Sequence, residues 1–169
     1  MKHISQVALQ QMERFTRANL VNSISGIKPA NLVGTVSEQG VSNLAIFSSV
    51  VHLGSNPPLL GMIQRPLTAE VGDSYGNIVA TGYYTLNHVH EALIENAHFT
   101  SAKFDANESE FEQCGFEEAY LFGFKAPFVA ESRVKIGLKY RETIPSALNN
   151  TLLVIGEIMH IELPEDGME

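Results

Sequence analysis

The chain has 169 residues, a hydrophobic fraction of 44%, a charged fraction of 18% and a formal net charge of −8. That length suits one domain of ordinary size with a continuous core. The acidic balance and the scattered Lys and Arg argue against nucleic acid as a main partner, because a phosphate backbone asks for a basic stripe.

A charged fraction below the roughly 25% of ordinary soluble domains fits surface buried against a second subunit, and composition alone equally allows an ordinary compact monomer. The single cysteine, Cys114, cannot form an internal disulfide and fits a reducing compartment. Met1 to Arg17 holds no signal-peptide core, and no apolar run approaches the ~20 residues needed to cross a bilayer. The expected location is the cytoplasm, without a membrane partner.

In chain order, Val7, Ala8, Met12, Phe15 and Leu20 recur at helical spacing, which predicts one helix over about 5–22, ended by Gly26 and Pro29. Strand signals follow. Asn31 to Ser37 predicts a strand, and Glu38-Gln39-Gly40 a hairpin turn. Ser42 to Leu53 reads as one long strand, Gly54 to Pro58 as a hard turn and Leu59 to Gln64 as a third strand. Asp73 or Ser74 is expected to cap a short helix that Gly82 stops after Thr81. Tyr83 to Asn87 predicts a strand, His88 to Ala97 a helix and Glu108 to Cys114 a short helix. Val134, Ile136, Leu138 and Tyr140 alternate with Lys135, Gly137, Lys139 and Arg141, the period of a half-buried strand. Asn149-Asn150 suits a turn before a closing strand over Thr151 to Leu163. Hairpins with short inserted helices, without regular strand–helix alternation, predict a mainly β fold: an antiparallel barrel with peripheral helices.

Several chemistries lack their signatures. There is no dinucleotide-binding Gly-x-Gly-x-x-Gly, no phosphate loop of the Gly-x-x-x-x-Gly-Lys-Ser/Thr type and no Gly-x-Ser-x-Gly elbow. His88 and His90, two apart on a predicted helix, would not share a face, and no metal site is expected. Cys114 has no cationic sequence neighbour and reads as a small buried residue. The informative stretch runs from Asn43 to Pro66. Ser48 and Ser49 interrupt an apolar strand and point to opposite faces, so one can meet a ligand. Arg65 follows the next strand and can grip a phosphate with two prongs. The residues alone equally allow serines that pad a sheet contact and a solvated arginine.

The Asn43–Pro58 segment, with its Asn-x-Ala strand, paired serines and Pro-Pro turn, resembles the FMN-binding signature of the flavin-reductase-like family. Asp73-Ser74-Tyr75-Gly76-Asn77-Ile78 with Gly82-Tyr83-Tyr84-Thr85-Leu86-Asn87 resembles a second block of that family. Ala126-Pro127-Phe128 with Glu131-Ser132 and Ile155-Gly156-Glu157-Ile158 resemble a third and a fourth, in the family's order. The resemblance implies an FMN-binding split β-barrel over about 31–163 within one domain, 1–169. It also implies a homodimer, FMN near the subunit interface, and NADH or NADPH as a possible transient electron donor.

By the same resemblance, Asn43, Ile46, Phe47, Ser48 and Ser49 would line the flavin, while Arg65 and Thr68 would hold its phosphate. The loop His98 to Lys103 is similar to the family's second cofactor loop, which makes Thr100, Ser101 and Lys103 further candidates. Fixed N–H donors aimed at the pyrimidine side of the ring would favour its reduced form, and hydride transfer needs no side-chain acid or base. Many NADH-dependent members carry Gly-Asp-His before the last strand, where this chain has Asn149-Asn150-Thr151. The expected function is an FMN-dependent oxidoreductase reducing flavin or a small acceptor. The alternative is a flavin carrier or electron-transfer protein of the flavoredoxin kind, served by a redox partner protein. A pyridoxamine-phosphate-oxidase-like barrel is disfavoured by the Asn43–Pro58 block.

Overall fold

The structure is a computed structural model that describes residues 1, 3–67, 73–105 and 108–165. Among the described residues nine strands form: β1 (Asn31–Val36), β2 (Ser42–Phe47), β3 (Val50–Ser55), β4 (Pro58–Gln64), β5 (Tyr83–His88), β6 (Glu118–Ala119), β7 (Phe128–Val129), β8 (Lys135–Pro145) and β9 (Leu152–Glu162). The helices are α1 (Gln6–Gln11), α2 (Arg14–Ser23), α3 (Asp73–Thr81), α4 (Ile94–Phe99) and α5 (Glu110–Gln113). Seven strands make one antiparallel sheet in the order β2-β1-β5-β8-β9-β4-β3, and β6 pairs with β7.

That order forces closure. The edge strands β2 and β3 are consecutive in the chain, separated by Ser48 and Ser49. Three peptide units reach about 11 Å, whereas a flat sheet of this strand number would hold its edges roughly 29 Å apart. The sheet must curl until its edges meet at this corner. The expected mainly β barrel with peripheral helices is present. The expected long strand 42–53 is instead two strands bent at the paired serines. Ser49 anchors the bend: its hydroxyl donates to the Ile63 carbonyl at 3.0 Å, and Ile63 N–H donates to the Ser49 carbonyl.

Curling gives the strands two different surroundings. Val33, Met62, Ile78, Tyr84, Leu86, Leu138 and Val154 fill the barrel, with Ile136 and Tyr140 partly buried against them. The alternation expected along β8 is therefore realised in its apolar members, and the strand runs on to Pro145 through two bulges. Lys135 is nevertheless buried, because it pairs with Glu162 at 2.6 Å. On the outer face, Leu32 and Leu44 pack with Leu93, Ala97, Phe111 and Cys114 from α4, α5 and their flanks. Neighbours Leu32 and Val33 thus serve opposite faces, as the pleat dictates. Cys114 is the small buried residue expected.

Two helix boundaries differ from the sequence reading. The N-terminal helix is broken at Met12-Glu13, where Met12 is extended and the Glu13 carboxylate accepts from Phe15 and Thr16 N–H at 2.8 and 2.9 Å. These bonds hold the Glu13 carboxyl below its ordinary value and start a second helix. The helix expected from His88 begins later, because His88 N–H still donates to Val134 O and Val89 N–H to Ala30 O. A 3₁₀ turn, Glu91–Leu93, then leads into α4. Among the described residues no helix is long and apolar enough to cross a membrane.

A buried polar staple ties the 126–129 segment to the barrel. Thr85 Oγ1 donates to Pro127 O at 2.6 Å, Asn87 Nδ2 to Leu32 O and Thr85 Oγ1, and Val129 N–H to Asn87 Oδ1. Satisfying every member lets the cluster be buried without penalty. Gly34 makes the close approach possible, since a Cβ there would overlap the Pro127 carbonyl and Thr85 Oγ1. Gly34→Ala is therefore expected to destabilise the fold by about 1–3 kcal/mol through overpacking, read as a lower midpoint in urea titration. An unchanged midpoint would contradict the staple's tightness.

Candidate functional site

A cleft of about 1180 Å³ opens at the barrel's corner. β2 contributes Asn43, Ala45, Ile46 and Phe47, the bend contributes Ser48 and Ser49, and the end of β4 contributes Ile63, Gln64 and Arg65. The loop after α4 faces them with Thr100 to Asp105, Ser74 comes from α3, and Thr151 from the β8–β9 turn. The N-terminal segment also lines the cleft with Asn19, Asn22, Ser23 and Lys28.

Nine of the ten residues singled out from sequence, Asn43, Ile46, Phe47, Ser48, Ser49, Arg65, Thr100, Ser101 and Lys103, line this one cleft. Thr68 lies outside the described residues. Their chemistry is uneven. Ile46 and Phe47 are half-buried against the outer core and the barrel core respectively, so each shows only part of its surface to the cleft. Asn43 is buried and donates to Ser74 Oγ at 3.1 Å. Ser48 is exposed, whereas the Ser49 hydroxyl is engaged by Ile63. The β1–β2 ladder ends at Phe47 and the β3–β4 ladder starts at Val50, so the N–H groups of Ser48 and Ser49 fall between the two. Thr100 Oγ1 donates to Ala97 O at 2.8 Å and Ser101 Oγ to His98 O at 2.6 Å. These two hydroxyls cap α4 and keep only acceptor capacity toward a ligand. Arg65 and Lys103 are exposed at the cleft and supply cations.

Among the described lining residues, Lys28, Arg65 and Lys103 stand with two carboxylates, Asp105 and Glu110, three cations to two anions in a chain of net charge −8. Glu110 also serves the frame, accepting from Leu44 N–H at 3.0 Å. Asn19, Asn22 and Lys28 escaped the sequence reading because polar residues on an amphipathic helix and its exit look like a solvated face. No sequence signal separates the two cases.

The strongly titrating groups lie elsewhere. Burial, then the Glu110 charge, pushes the Cys114 thiol up, away from thiolate reactivity. Burial, with Glu118 beside it, pushes Tyr120 up to about 12. Burial lowers His88, which does not line this cleft, and His90 Nε2 meets the Glu131 carbonyl at 3.2 Å. No group of three or more metal-ligating side chains occurs among the described residues.

Residues 27–169 match the flavin reductase like domain. The chain belongs to that family. A split-barrel domain protein of Shewanella frigidimarina, named as a candidate flavin reductase, superposes with a TM-score of 0.94 at 47% identity, over 99% of this chain and 85% of that one. A flavoredoxin of Desulfovibrio vulgaris superposes with a TM-score of 0.72 at 25% identity, over 83% of this chain and 75% of that one. Component B of nitrilotriacetate monooxygenase from Bacillus cereus, at 21% identity, shares the fold with a TM-score of 0.86 over 100% of this chain and 84% of that one. The fold of this flavin-reductase-like chain is accordingly the split barrel.

Proposed function

We propose that the cleft binds FMN, that two copies of this single-domain chain pair, and that the holoprotein is a cytoplasmic oxidoreductase reducing flavin or a small acceptor. The observation that carries the reading is the convergence, in one cleft, of an apolar strand end, unladdered N–H groups and cations. Each part matches a part of the cofactor. Ile46 and Phe47 offer apolar cover to a flat ring and exclude water from it. Ser48 and Ser49 N–H groups suit the ring's polar edge. Arg65, with Lys103 and Lys28 nearby, suits a terminal phosphate of charge near −2, where charge-assisted bonds are strongest. Bound there, FMN would supply the redox chemistry; the chain's residues bind, orient and shield.

A second reading, an electron-transfer flavoprotein without direct NAD(P)H reductase activity, is favoured by the β8–β9 turn. Thr151 lines the cleft where the resemblance expects the histidine of Gly-Asp-His. Its hydroxyl and N–H both go to Asn149 Oδ1, at 2.8 and 3.2 Å. No imidazole stands at that position to meet a nicotinamide. Pairing of two copies is supported by what one copy leaves uncovered. Neither α1 nor α2 buries a residue, and Phe15, Ile24 and Ile27 are exposed, as are Val51, Leu53 and Ile63 on β3 and β4.

Three outcomes are expected. Arg65→Ala keeps the circular dichroism of the wild type and loses a charged hydrogen bond of about 1.5–3 kcal/mol, which is roughly ten- to a hundred-fold in FMN affinity by fluorescence titration. Added salt weakens wild-type binding more than the variant's; an unchanged Kd removes Arg65 from the site. Light scattering at micromolar concentration gives twice the 18.5 kDa chain mass, and a monomer contradicts pairing. Stopped-flow mixing of the FMN-loaded protein with NADH or NADPH shows slow flavin reduction, and a fast phase with either overturns the second reading.

A further inference from the structure

One residue that lines the cleft carries a buried polar atom out of balance. Gln64 ends β4, is 4% exposed, and its Oε1 is the buried side-chain polar atom left without a hydrogen-bond partner among the described residues. The amide cannot escape by rotating end for end. Its Nε2 donates to the Arg65 carbonyl at 3.3 Å, and a carbonyl can be met only by the NH₂ end, which fixes the oxygen as the lone group. Three side-chain donors of the same cleft are committed elsewhere: Asn43 Nδ2 to Ser74, the Ser49 hydroxyl to Ile63 O, and the Thr151 hydroxyl to Asn149. A buried acceptor left unpaired is costly, and proteins retain few of them. The strand pattern would allow an apolar residue here, as Met62 shows two residues earlier on the same side of the pleat. The oxygen therefore calls for a donor that the described residues do not supply.

We infer that Gln64 Oε1 accepts a hydrogen bond from an N–H or O–H group of the bound flavin, and so reads the part of the cofactor that the cations cannot. This rests on the FMN reading of the cleft. A phosphate dianion offers only acceptors. The donors of an oxidised flavin are the imide N–H of its ring and the hydroxyls of its ribityl chain. Gln64 stands directly before Arg65 in sequence, so an acceptor for the organic body of the ligand and a cation for its phosphate come from adjacent residues.

The test replaces Gln64 by methionine, of similar length but without an acceptor, and titrates FMN, riboflavin and lumiflavin against both proteins. Gln64→Met is expected to weaken FMN and riboflavin about three- to ten-fold alike, the effect of one neutral hydrogen bond, while the melting temperature of the flavin-free protein holds or rises. A purely structural glutamine would lower that temperature instead. Lumiflavin, which keeps the imide but lacks the ribityl chain, weakens equally if the donor is the ring N–H and is unaffected if it is a hydroxyl; either supports the assignment. Should Gln64→Met fail to fold, Gln64→Asn keeps the amide, withdraws the oxygen by one carbon, and is expected to show the same loss. Unchanged affinity for all three flavins in a folded variant overturns the inference. So does a weakened dimer with flavin affinity intact, which would give the donor to a second copy. A wild-type protein that binds no flavin fails the cleft reading itself, a result distinct from a variant that binds as well as wild type.

Discussion

Everything functional in this molecule depends on the three peptide units that carry the chain from Phe47 to Val50. Because they join the two edge strands of a seven-stranded sheet, the sheet has to close on itself. Because a closed sheet cannot continue both ladders through the corner, the N–H groups of Ser48 and Ser49 are left between them. The corner therefore does two things at once. It brings the two edge strands of the sheet together, and it presents unladdered donors to a cleft. Ser49 pins the bend to Ile63, which leaves exposed Ser48 beside the opening.

Around that corner the cleft is assembled from segments far apart in sequence, and each is held by the frame rather than by the cleft. α3 is docked by Asn77 Nδ2 on Thr35 Oγ1 at 3.1 Å, which brings Ser74 to Asn43. α4 ends in a cap made by Thr100 and Ser101, which sets the loop carrying Lys103. Outside the cleft, the 126–129 segment is stapled by Thr85 and Asn87 behind β1. Rigid supports of this kind hold a site at low reorganisation cost, which is how a protein tunes a redox cofactor without supplying an acid or base.

Much of this was legible in the sequence for physical reasons. The Gly40 turn, the alternation along β8 and the Gly82 helix stop are local signals, and local signals survive into the fold, while the expected turn 54–58 narrows to Asn56-Pro57 because β3 runs through Ser55 and β4 starts at Pro58. The paired serines in an apolar strand marked the corner, although their reading as part of one continuous strand missed the bend. What stayed hidden is non-local. The carboxylate of Glu13 breaks a helix that apolar spacing alone would continue. The two-residue strands β6 and β7 exist only through their pairing with each other. Lys28 and Asn22 become cleft residues only once α2 lies over the corner, and Gln64 becomes conspicuous only when its burial and its missing partner are both known.

We propose that one cleft at the barrel corner holds FMN by its ring and its phosphate together. A crystal structure of the FMN complex tests this most directly. The expected complex has the ring's polar edge against the Ser48 and Ser49 backbone, with the phosphate within hydrogen-bonding reach of Arg65 or Lys103. FMN seated away from residues 43–49, or with its phosphate turned from both cations, would contradict it.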